Sequence, residues 1–140
     1  QLAETTGLPM IELDKLFWGH GLVATPRDQW VEHQRVLVAH DQWILDGDLG
    51  PYDVLELRLQ AADTVIFLDY SPLVCVWRAM RRGPERLDFW LWLLQYRRRS
   101  RPLILQAMDT FARHARHYVL RTPAATRRFL ASVQGARITP

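Results

Sequence analysis

Four short apolar runs punctuate the chain, at residues 10–13, 43–45, 65–68 and 118–120. Each is too short for an independent helix and carries the β-branched, aromatic or leucine side chains of a buried strand. Between them the pattern turns helical. Residues 1–6 read as a helix end closed by Gly7, with Pro9 just beyond. Trp30, Val31, Gln34, Leu37 and Val38 line one face of a helix that Thr25 caps and Pro26 opens. Residues 17–21 form a glycine-punctuated loop, and residues 54–59 a short helix. After the third run, Ser71 stands as an N-cap and Pro72 in the first turn of a helix reaching Arg82. Gly83-Pro84 then breaks the chain. A Trp-rich helix over 85–96 runs into an arginine cluster, and Pro102 starts a new helix to about residue 114. Thr122-Pro123 opens a last helix to about residue 133. Strands alternating with helices predict an α/β domain: one mostly parallel sheet with helices on both faces.

The apolar runs end on acids. Asp14, Asp46 and Asp69 each follow one, and the carboxyl ends of parallel strands share a rim where open α/β sheets bind ligands. Asp69 is the expected partner of a Mg²⁺ carried by nucleotide phosphates, against the plainer role of capping the next helix. Arg78 and Arg82 lie four residues apart on one helix face, a pair of guanidinium forks suited to polyphosphate oxygens. Asp14 and Asp46 are expected to orient an acceptor hydroxyl or a metal-bound water. His114 and His117 have no carboxylate or cysteine at ligand spacing, and Ser71, Ser100 and Cys75 sit in no nucleophile motif.

Composition adds one asymmetry. The net charge of the 140 residues is only +3, but residues 78–128 hold 13 arginines against 3 acids, a net of +10. All but one of the 18 basic residues are arginine, which suits phosphate binding and equally a GC-rich genome. One cysteine excludes an intramolecular disulfide and fits a reducing, cytoplasmic setting. No apolar run approaches the ~20 residues of a membrane span, and the first residues are not a signal peptide. The length suits one domain, residues 1–140, with a helical lid-like segment at 83–114.

Several motifs together resemble a known group. LDKLFW (13–18), TPRDQW (25–30), WILDG (43–47), ADTVIFLD (62–69), RRSRP (98–102) and LRTPAATRRFL (120–130) are similar, in order and spacing, to adenylate-kinase-like P-loop proteins of the DNA topology modulation type. The resemblance implies a three-layer P-loop NTPase fold around a five-stranded parallel sheet, with ATP- and Mg²⁺-dependent phosphoryl transfer to a nucleotide or small-molecule acceptor. It implies phosphate contacts from Arg78 and Arg82, with Thr122 and Pro123 near the base. Arg97, Arg98, Arg99 and Arg101 would be lid arginines stabilising the transferring group, Asp69 the metal-side acid, and Asp14, Asp46, Gly47 and Arg58 the acceptor side. Such proteins open with a central strand and a G-x-x-x-x-G-K-[ST] loop that cradles phosphates. No such loop occurs in these residues, and Gln1 aligns with the helix just after it. The first, mid-sheet strand is therefore expected to be missing and the chain by itself to be inactive, binding ATP weakly or not at all.

Two other readings compete. The arginine-rich stretch suits a non-catalytic module that binds nucleic acid through phosphate contacts. Trp90, Trp92 and Tyr96 suit a subunit contact in a homodimer.

Overall fold

The computed structural model describes residues 1–19, 21, 23–82 and 87–138, with side chains except at 79, 82, 87–95, 97, 137 and 138. The chain divides into two units, residues 1–62 with 130–140, and residues 63–129.

In the first unit, helix α1 (Leu2–Thr6) ends at Gly7, whose φ of 72° and N–H bond to the Ala3 carbonyl close the turn. Strand β1 (Met10–Glu12) passes directly into helix α2 (Leu13–Phe17). The expected strand through residue 13 thus stops one residue early, and Asp14 sits on a helical turn. Leu13 and Phe17, four residues apart and so on one face of this helix, are both buried. Helix α3 (Arg27–Val38) buries Trp30 and Gln34 at the same spacing. Thr25 does not cap it. Pro26 holds the N-cap position, and the Thr25 hydroxyl donates to the Phe17 carbonyl at 2.6 Å, satisfying the end of α2 instead. Strand β2 (Ile44–Asp46) lies parallel to β1, pairing Met10 with Ile44 and Glu12 with Asp46. A 3₁₀ turn (Gly50–Tyr52) and helix α4 (Leu55–Ala61) follow. The core here is Leu13, Phe17, Trp30, Leu49 and Val54. Phe17 meets Trp18 and Trp30 edge-on, at centroid distances of 4.8 and 5.2 Å.

In the second unit, strand β3 (Thr64–Phe67) precedes helices α5 (Pro72–Arg82) and α6 (Leu87–Phe111). Strand β4 (Arg116–Val119) then pairs in parallel with β3, Thr64 opposite Arg116 and Phe67 opposite Val119. Ser71 caps α5 as expected, its Oγ accepting from Val74 N–H at 3.4 Å. Pro102 does not start a helix. It lies inside α6, which runs through it for 25 residues. A helical proline deletes one donor and crowds the carbonyl four residues back, a local cost that Leu103, Leu105, Gln106 and Ala107, strong helix formers, offset. The expected Gly83-Pro84 break and the side chains of Trp90 and Trp92 lie outside the described residues. Helix α7 (Pro123–Ile138) closes the chain, with the Thr122 hydroxyl accepting from Ala125 N–H at 3.1 Å. Phe67, Met108, Ala112 and Leu120 are buried.

The protein is therefore mixed α/β with parallel pairing, but the four strands form two two-stranded sheets, β1–β2 and β3–β4, where the sequence led us to expect one. Apolar runs reveal strands but carry no information about which edge each one finds. Among the described residues no helix is long and apolar enough to cross a membrane.

Candidate functional site

At the carboxyl end of β3, Asp69 is held in a buried position, its side chain 2% exposed. Arg101, from the middle of α6, grips it with two parallel bonds. Nε donates to Oδ1 at 2.8 Å and Nη2 to Oδ2 at 2.9 Å. The hydrogen bond to Asp69, followed by its charge, pushes the Arg101 guanidinium above its already high ordinary value. Arg121, directly after the apolar run of β4, brings its Nε to 3.7 Å from Oδ2 while remaining 72% exposed. Arg78 on α5 lies over the ring of Tyr70, 4.8 Å from its centroid, and the Tyr70 hydroxyl is 2.6 Å from Thr126 Oγ1 on α7. Two guanidinium groups thus meet one buried carboxylate at the carboxyl ends of two parallel strands, and a third lies over the ring of the neighbouring Tyr70. Cation excess in that position suits a multiply charged oxyanion.

The carboxyl ends of β1 and β2 carry a second arrangement. Arg58 on α4 donates from Nη2 to the Gly47 carbonyl at 3.0 Å and to Asp53 Oδ2 at 2.5 Å. Asp53 is almost fully buried and also accepts, through Oδ1, from Gln34 Nε2 and the Val54 N–H, both at 2.9 Å. Arg58 Nη1 and Gln34 Oε1 are buried without a hydrogen-bond partner among the described residues. Asp14 is pushed up from its ordinary value of 3.8, first by burial, then by the charges of Asp46, Asp48 and Asp53, with Arg58 opposing. Gly47 adopts φ 140°, and a Cβ there would stand 3.2 Å from the Leu13 Cβ. Carboxylates outnumber cations at this end, which suits groups that donate hydrogen bonds, such as hydroxyls.

The structure therefore brings Asp14, Asp46, Gly47 and Arg58 to one strand-end region, and Asp69, Arg78 and Arg101 to another, with Thr122 and Pro123 next in chain to Arg121. It does not gather the arginine run. Arg98 and Arg99 are exposed, successive helical positions pointing in different directions. The side chains of Arg82 and Arg97 lie outside the described residues. Thr122 and Pro123 act as a helix cap and first helical residue. Sequence reasoning missed Arg121, Tyr70 and Asp53. Arg121 carries a signal: it ends an apolar run as Asp46 and Asp69 do. An open groove lined by Pro9, Ile11, His40, Asp41, Gln42 and Trp43 holds none of the candidate residues.

The Mg²⁺ that the resemblance implies fits Asp69 poorly, because the carboxylate is buried and a cation there would face Arg101, bonded to both oxygens, and Arg121, 3.7 Å from Oδ2. Among the described residues no group of three or more His, Cys, Asp or Glu side chains is placed to hold a metal ion. Compared with known proteins, the chain matches no family model, no curated protein and no solved structure.

Proposed function

We propose that this chain forms the acceptor and phosphate-handling parts of an ATP-dependent phosphotransferase of the adenylate-kinase-like type, acting on a nucleotide or small-molecule acceptor. The observation that carries the reading is the meeting of Arg101 and Arg121 at Asp69, at the carboxyl ends of β3 and β4. Phosphoryl transfer needs positioning and charge stabilisation more than covalent chemistry, and arginine forks supply both. Mg²⁺ would arrive with the nucleotide, as the usual counter-ion of its phosphates.

Two further features support the reading. Arg58 Nη1 is a buried donor without a hydrogen-bond partner among the described residues, its charge acts on Asp14, and an oxygen of a water or of a bound acceptor would satisfy it. The proposed fold is the three-layer P-loop sheet. The resemblance expects that fold's strands to run parallel, and the parallel pairing within β1–β2 and within β3–β4 is compatible with it.

The test is the coding sequence upstream of Gln1 and the activity of the protein that includes it. The reading expects a strand, a G-x-x-x-x-G-K-[ST] loop, and transfer of the ATP γ-phosphate to an added acceptor. Upstream sequence without the loop, together with no transfer, would refute it. Duplex DNA binding with a steep salt dependence and no ATP turnover would favour the nucleic-acid reading instead.

A further inference from the structure

We propose that Asp69 is a positioning residue that shapes Arg101 and Arg121 into a polyphosphate cradle working without a protein-bound metal. The proposal rests on the phosphate-handling reading of this end of β3–β4, and it departs from the sequence expectation that Asp69 faces Mg²⁺.

A carboxylate offers two oxygens, and here Arg101 takes both in a bidentate grip while Arg121 approaches the second. Mg²⁺ requires close, near-octahedral oxygen ligands and gives up its waters reluctantly. At Asp69 it would meet a carboxylate that is 2% exposed and already bonded through both oxygens to Arg101, and it would face Arg101 and Arg121 as like charges. An anion meets no such barrier. Arg101 spends only its Nε and one Nη2 hydrogen on Asp69, so three of its five N–H donors remain. Arg121 is 72% exposed, with its Nε end toward Asp69. A single buried carboxylate thus holds the inner sides of two forks and offsets their mutual repulsion. The outer donors and the surplus positive charge are left for phosphate oxygens. The ligand class is a di- or triphosphate group, free or within a nucleotide.

The experiment is calorimetric titration of the chain with inorganic tripolyphosphate, in EDTA and in Mg²⁺. We expect weak binding, since two arginines act without a phosphate loop, and we expect it to persist in EDTA. Arg121→Gln, a change to an exposed side chain that leaves folding intact, should weaken it about tenfold, the usual effect of losing a charged hydrogen bond. Arg101→Lys should weaken it similarly, because an ammonium cannot hold the carboxylate and the anion together. Asp69→Asn should remove most of the difference that Arg101→Lys makes, a non-additivity that a merely structural role would not produce. Where Asp69→Asn fails to fold, the EDTA comparison and Arg121→Gln decide alone. Binding abolished by EDTA, binding insensitive to Arg121→Gln and Arg101→Lys, or no binding would each overturn the proposal. Tripolyphosphate binding without ATP transfer, in the protein that includes the upstream sequence, would leave the cradle standing and remove the kinase reading.

Discussion

Replacing Asp53 with alanine tests the network at the carboxyl end of β1–β2 at its most buried point. Asp53 is 4% exposed and accepts from Gln34, Val54 and Arg58, while the Arg58 side chain is only 11% exposed. Asp53→Ala leaves a buried guanidinium without its countercharge and strands the Gln34 amide. Breaking a buried pair by removing one partner costs about 3–5 kcal/mol. At about 3–4 °C per kcal/mol for a chain near this length, melting should fall by roughly 10–20 °C. The exposed pair of Arg35 and Glu32, 3.6 Å apart, is the control. Glu32→Ala should cost under about 1 kcal/mol, because solvent screens such pairs. Adding Arg58→Met to Asp53→Ala removes the stranded charge and should recover roughly half of the loss. Urea unfolding of the four proteins is the assay. A loss under about 1 kcal/mol for Asp53→Ala, or no recovery in the double variant, would show that this network does not hold the end of β2 in place.

Two further outcomes follow from the same region. Burial and neighbouring carboxylates raise Asp14, so its contribution to stability is fully present below its ordinary 3.8 and is lost as pH rises through the raised value. Asp14→Asn should therefore be the more stable protein at neutral pH, and pH-dependent melting should show the gap closing below the carboxylate range. Gly47→Ala forces a side chain onto φ 140° and against Leu13, and equilibrium unfolding should register a loss of roughly 1–3 kcal/mol.

Much of the local structure was legible because each element has a chemical signature of its own. Ser71 before Pro72, Thr122 before Pro123 and Gly7 after Thr6 mark helix ends through donors, ring geometry and positive φ, and all three act as expected. Leu13 misled because a strand and a helix that share a buried boundary residue look alike over so short a run. Thr25 misled because the Phe17 carbonyl, eight residues away, competes for its hydroxyl. Pro102 misled because flanking propensity outweighed one lost donor. Pairing partners were not legible at all, since strand edges recognise backbone and carry no residue code. At the candidate sites the strand-end acids were visible, but what they bind was not. Nothing local to Asp69 announces Arg101, 32 residues on. Nothing in the sequence singles out Asp53, on which Arg58 and Gln34 close only in the fold.

The central claim is that the carboxyl end of β3–β4 is where phosphate is handled. The most direct measurement is turnover of Mg-ATP, with melting temperature, for Arg121→Lys in the protein that includes the sequence upstream of Gln1. Arg121 is exposed and contributes little to folding, so melting should not change. Turnover should fall on the order of 10²-fold, the scale of losing a charged contact to a transferring group. Turnover equal to that of the parent, at equal melting temperature, would mean that these arginines are solvated surface and that the phosphate end lies elsewhere.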